Sequence, residues 1–127
     1  MPGKTKASAI VVYCTASSIE EARMLADVLV GEKLAACVSI VPQVQSTYWW
    51  KGQIERAEEA LLIIKTQAKK FGALAKRIKE KHSYTVPEIL ALPVVQGNPD
   101  YLKWLTESIS QSLPPLRGKA RMGGRPK

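Results

Sequence analysis

Two thiols, one imidazole and a pair of adjacent indoles are the side chains in this sequence whose types could do chemistry beyond packing. Cys14 and Cys37 stand 23 positions apart in apolar stretches, "IVVYCT" and "LAACVSI". Neither belongs to a CxxC pair, which removes the usual zinc, thioredoxin-like and iron–sulfur readings. Such surroundings predict two buried, reduced thiols of an intracellular protein. Cys37, without a chemical neighbour in sequence, reads as core. His82 is the one histidine, and no serine or cysteine beside it makes a recognisable nucleophilic arrangement. No GxGxxG-type phosphate loop occurs, because the 8 glycines are scattered or lie in the C-terminal tail. On these grounds an enzyme is not expected.

The indoles raise a different question. Trp49 and Trp50 sit in "STYWWKGQIE", and neighbours on a strand point to opposite faces of a sheet. Both cannot enter one ordinary core, so something else must cover the second.

The elements that position these residues follow from periodicity. "SAIVVYCT" (8–15) is a short β-branched run, apolar on both faces, as a central strand requires. Ser18 followed by Glu21 is a capping-box pattern, and Ala22, Leu25, Ala26, Leu29 and Val30 then recur at helical spacing, with Gly31 as the expected stop. A strand is expected over 34–50, interrupted by a bulge or edge at Pro42. Lys51-Gly52 makes a tight turn into a second long strand, "QIERAEEALLIIKT" (53–66). A helix over 69–82 buries Phe71, Leu74, Ala75 and Ile78, and "EILALPVV" (88–95) reads as the last strand. Asn98 and Pro99 cap and begin a terminal helix. The order β-α-β-β-α-β predicts an α+β, ferredoxin-like sandwich with a long hairpin and an extra C-terminal helix. It assigns helices to one face of the sheet and none to the other, although "LLII" at 61–64 offers apolar groups to both. Fourteen extended residues span about 46 Å, whereas a compact chain of this size has a radius of gyration near about 14 Å. The hairpin must therefore project, and another copy of the chain is the simplest cover for the arm, the open face and the extra indole.

A chain of 127 residues with 46% hydrophobic and 24% charged residues fits one globular domain, here 8–112. Residues 1–7 read as a flexible N-terminus and 113–127 as a basic, disordered tail. The net charge of +8 belongs to these ends, since residues 8–112 hold 12 basic and 11 acidic side chains. RNA-recognition modules share the element order but need aromatics on the third strand, where this chain has none and three acidic residues. Nucleic acid is not an expected partner. No apolar run reaches the roughly 18 residues of a membrane span, and the N-terminus lacks the apolar stretch of a signal peptide. The expected compartment is the cytoplasm, or an organelle stroma after removal of a transit peptide.

"KLAACVSIVP", "TYWWKGQIE", "LLIIKT", "HSYTVPEILALPV" and "GNPDYLKWL" together resemble the CutA divalent-cation-tolerance family, over about residues 9 to 110. The resemblance implies a homotrimer, similar in architecture to PII-type signalling proteins that hold small ligands in clefts between subunits. It implies that one indole packs within its own subunit and the other against a neighbour, with Trp49, Trp50 and Trp104 as packing residues. It also implies a copper site, with other divalent cations as further ligands. Its metal-binding residues map onto Cys14 and His82, with Glu88 as a carboxylate nearby. Lys81 stands where some members carry a second histidine, and Ser83 where a proline is usual. A second cluster by the same resemblance, Lys65, Tyr84 and Glu88, would line the intersubunit cleft and hold an anionic or polar small molecule. Structural roles stay open beside each: a buried small hydrophobe for Cys14, a helix terminus for His82, an interface ion pair for the cleft residues.

Overall fold

The computed structural model describes residues 8–110. The expected flexible N-terminus (1–7) and basic tail (113–127) lie outside the described residues.

The elements follow in the order β1 (Ala9–Ala16), α1 (Ile19–Gly31), β2 (Cys37–Trp50), β3 (Gln53–Gln67), a short 3-10 turn (Ala68–Lys70), α2 (Phe71–Lys81), β4 (Leu90–Pro93) and α3 (Pro99–Ser108). Four strands form one antiparallel sheet in the order β2-β3-β1-β4. This is the ferredoxin-like plan. Alternation along β1 and β3 sends Ile10, Val12, Cys14, Leu62 and Ile64 to one face, where Ala22, Leu25 and Leu29 of α1 and Leu74 and Ile78 of α2 close over them. Each fully buried aliphatic side chain of this kind contributes about 1.5–3 kcal/mol. Arg77 of α2 joins the two helices outside this core, donating to both carboxylate oxygens of Glu32 at 2.9 Å.

The opposite face is not wholly without a helix. Ala9 points there, next to the helix-facing Ile10, and packs with Leu105 of α3 and with Ile109 just beyond it. Trp104 packs against the same cluster. Gln67 adds a hydrogen bond to Thr106 at 3.1 Å. The terminal helix thus covers one end of the face. Tyr13, Leu90 and Leu92, further along it, remain 37%, 57% and 43% exposed.

The bulge falls at Pro42. Val41 pairs with Leu61 and Val44 with Glu59, so two residues of β2 oppose one of β3. Lys51 and Gly52 both take positive φ, 51° and 79°, as a two-residue type I′ hairpin demands. Strand β1 pairs with β3 only over Ala60–Gln67. Gln53–Glu59 therefore pairs with β2 alone, a two-stranded arm of about 23 Å. Trp49 and Trp50 lie at its tip, 71% and 52% exposed. About half of Trp50 is covered within the chain, with the Lys51 ammonium 5.8 Å from its ring centroid, whereas most of Trp49 is open.

Several boundaries move for local reasons. Strand β2 starts at Cys37 rather than 34, because the amides of Leu34 and Ala35 still bond to the carbonyl of Leu29 at the end of α1. Gly31 remains helical, and Lys33 supplies the left-handed residue at φ 60°. Strand β4 is limited to Leu90–Pro93 instead of 88–95, and Pro93 brings no amide to its ladder.

Candidate functional site

Polar side chains gather where β1 ends, α1 begins and α2 ends. Ser18 caps α1, its hydroxyl accepting from the amide of Glu21 at 3.1 Å. The reciprocal half of the expected capping box is redirected. Instead of returning to Ser18, the Glu21 carboxylate accepts from the amide and hydroxyl of Ser17 at 2.9 and 2.8 Å. It also accepts from the amide and hydroxyl of Ser83 at 2.7 and 3.0 Å. Burial pushes the Glu21 carboxyl up, but these four donors outweigh it and hold the group down at about 2. Glu21 thereby ties the chain after α2 to the start of α1.

His82 follows the last turn of α2, its amide bonding to the carbonyl of Ile78 at 2.8 Å. Its side chain has no solvent exposure. Ring atom Nδ1 accepts from the Tyr84 amide at 3.0 Å, and Nε2 lies 2.8 Å from the carbonyl oxygen of Thr15. An amide only donates and a carbonyl only accepts, so the hydrogen-bond network assigns the proton to Nε2. The Tyr84 ring lies 4.8 Å from the imidazole, and its hydroxyl donates to Glu59 at 2.7 Å. Burial, followed by that bond to Glu59, pushes the Tyr84 hydroxyl up.

Cys14 lies one residue before Thr15, and its side chain is fully enclosed. The thiol points at the same carbonyl, with Sγ 3.7 Å from the Thr15 oxygen. Burial pushes the thiol up to about 12, and the negative charges of Glu88, Glu21 and Glu59 add to this. Sulfur and imidazole nitrogen thus converge on one acceptor, from β1 and from the end of α2. Glu88 is exposed and is felt at Cys14 through its charge. Among the described residues, no three His, Cys, Asp or Glu side chains form a metal-holding group. Sulfur and imidazole nitrogen are the donor types a soft ion takes. Here, however, the thiol is protonated and enclosed and both ring nitrogens are engaged, so a metal would have to displace the thiol proton and the Nε2–Thr15 hydrogen bond.

The cleft residues are distributed differently. Lys65 lies on the open face of β3, and its ammonium donates to Ser39 Oγ at 2.9 Å and Cys37 Sγ at 3.6 Å. Glu59, which holds Tyr84, is six positions away on the same strand, about 20 Å. One chain therefore does not bring Lys65 and Tyr84 together. Cys37 is only half-buried, and it has chemical neighbours, contrary to the expectation of an isolated core thiol. Its lysine stands 28 residues away in sequence, and only the Cys37–Lys65 register joins them. Glu59 was not singled out by the sequence, and Glu21 was read only as a capping-box residue, without its bonds to Ser17 and Ser83. For Glu59 the available signal was a carboxylate next to the apolar run "ALLII".

The chain is thus a ferredoxin-like α+β protein with a projecting two-stranded arm, in which Cys14 and His82 meet the same main-chain carbonyl at the end of β1. Residues 10–108 match the family described as CutA1 divalent ion tolerance protein, and the chain belongs to that family. It is 50% identical over 98 residues to the divalent-cation tolerance protein CutA of Thermus thermophilus, covering 77% of this chain and 95% of that one. It is 46% identical over 108 residues to a rice protein named CutA 1, chloroplastic, covering 85% of this chain but 61% of the rice protein's own length. Solved structures agree. The Thermus thermophilus protein superposes with a TM-score of 0.78 at 49% identity, over 79% of this chain and 97% of that one. CutA1 from Oryza sativa gives 0.80 at 46% identity, over 86% and 100%.

Proposed function

We propose that the protein serves metal-ion tolerance as a homotrimer that takes up copper, by ligation rather than by turnover of a substrate. Cys14 and His82 are its ligands, with the Glu88 carboxylate nearby. The observation that carries this reading is that Cys14 Sγ and His82 Nε2 are brought to the same carbonyl, Thr15 O, where a metal would replace the protons both now direct at it. Thiolate and imidazole suit copper better than oxygen donors do. Lys81 supplies no lone pair while charged, so the site rests on two strong donors. Relatives named divalent-cation tolerance proteins support the tolerance role. The exposed arm supports self-association, because an isolated two-stranded ribbon is marginal in water. No helix among the described residues is long and apolar enough to cross a membrane. We place the protein in the cytoplasm or, as for its relatives named chloroplastic, in an organelle stroma.

The test is competition between the protein and a cuprous chelator, run on the intact chain, Cys14→Ser and His82→Ala, with sedimentation before and after loading. A trimer whose affinity falls in both variants supports the reading. A monomer, or binding that neither variant changes, overturns it.

A second reading, a PII-like sensor, rests on Lys65. Among the described residues no carboxylate lies within ion-pairing distance of its ammonium. Covered by another copy, that charge would need an anion. A small anionic molecule held between Lys65 of one copy and Tyr84 and Glu88 of another would meet the need.

A further inference from the structure

The chain between α2 and β4, residues 82–89, holds neither helix nor strand, yet three successive residues fasten it to three elements. His82 Nε2 bonds to the Thr15 carbonyl at the end of β1. The amide and hydroxyl of Ser83 donate to Glu21 of α1 at 2.7 and 3.0 Å. The Tyr84 hydroxyl donates to Glu59 of β3 at 2.7 Å. Thr85, Val86 and Glu88 are then exposed, and Ile89 packs against the core. The segment runs past Cys14. Leu90 of β4 pairs with Tyr13, so the ladder on that side of β1 stops one residue short of the cysteine. Cys14 and the His82 side chain nevertheless have no solvent exposure. The charges felt at the thiol belong to Glu88 of the segment and to Glu21 and Glu59, its two anchors.

We infer that residues 83–88 form a strap that controls entry to Cys14 and His82, with Glu21 and Glu59 as the positioning residues that clasp it shut. Opening breaks the bonds from Ser83 and Tyr84 to these two carboxylates. It leaves the sheet whole, because the strap belongs to no ladder. It leaves Glu21 its two bonds from Ser17. Hydrogen bonds to ionised carboxylates are strong ones, so the strap stays shut most of the time. Local openings of this kind need no global unfolding. As a control on copper entry the strap rests on the metal reading; as a part that opens it does not, and its test uses no metal.

Methyl methanethiosulfonate, a small thiol reagent, is the probe, applied to the full-length metal-free protein at a series of urea concentrations, with peptide mass mapping at Cys14. Below the unfolding transition, labelling should be far slower than in the urea-unfolded chain. It should also rise only shallowly with urea, because a local opening exposes little surface. Ser83→Ala and Tyr84→Phe each remove a bond to a clasping carboxylate, and each should label Cys14 about tenfold faster. Ser17→Ala removes a bond to the same Glu21 carboxylate that opening does not break. It should lower the unfolding midpoint and leave the labelling rate in dilute urea unchanged, whereas a merely structural role would move all three variants alike. Wild-type labelling with the full urea dependence of global unfolding would overturn the strap. Equal acceleration by Ser17→Ala and Ser83→Ala would overturn it too. If labelling follows the strap and copper does not bind, the strap stands and the metal reading alone fails.

Discussion

His82 Nε2 lies 2.8 Å from the carbonyl oxygen of Thr15, which fastens the end of α2 to the end of β1. Through Nδ1 the same ring orders the following loop at Tyr84. One buried imidazole thus satisfies two main-chain groups, the Thr15 carbonyl and the Tyr84 amide. Replacing it with alanine leaves both unpaired and opens a void. His82→Ala should lose about 2–4 kcal/mol of stability, measured by urea denaturation in metal-free buffer. A loss within experimental error would show that the loop repacks without it.

Glu21 gives the fold an acid dependence of known sign. Its folded carboxyl is held at about 2, against an ordinary value of 4.5. A depressed carboxylate adds stability that is present above the unfolded value and is lost as pH falls through the folded one. The contribution should therefore be complete above about 5 and fade between 4.5 and 2. Glu21→Gln should be less stable than wild type at neutral pH, with the two curves converging toward pH 2 in acid titrations followed by circular dichroism. Parallel curves would place the effect elsewhere.

Copper uptake at Cys14, as proposed, would have to displace a proton, because burial holds the thiol's pKa up at about 12. Affinity should rise about tenfold per pH unit across the neutral range for each proton released. Chelator competition at several pH values checks this. A flat profile would remove the thiol from the ligand set.

Trp49, 71% exposed at the arm's tip, contributes little to the monomer's own core. Trp49→Ser should leave the secondary structure intact but weaken self-association by about 2 kcal/mol or more, the usual scale for a buried interface indole. Sedimentation across a dilution series would show the shift. Assembly unaffected by the change would assign the indole to another surface.

Lys33 adopts φ 60° after α1, a conformation glycine takes more readily. Lys33→Gly should gain about 0.5–1 kcal/mol in thermal unfolding. A loss would mean that the lysine side chain makes a compensating contact.

The sequence carried what depends on local period and turn chemistry. The α1 stripe, the Pro42 bulge, the Lys51-Gly52 turn and the Asn98 cap are all written in short windows, and each is found. The projecting arm was legible too, because strand length against domain size is arithmetic. Less legible was anything set by register. Cys37 meets Lys65, and Glu59 meets Tyr84, only after β2, β3 and α2 have been placed in space. Glu21 followed the rule for a helix start and then broke it. Its carboxylate serves Ser83, 62 residues away, and no pattern within one helix contains that partner.

The most direct test of the copper site is X-ray absorption at the copper edge on the cuprous-loaded protein, beside Cys14→Ser and His82→Ala. The account predicts a first shell containing sulfur and imidazole nitrogen, with sulfur lost in the first variant and imidazole scattering in the second. A shell of oxygen and nitrogen donors that neither substitution alters would contradict it, and would place the metal away from the end of β1.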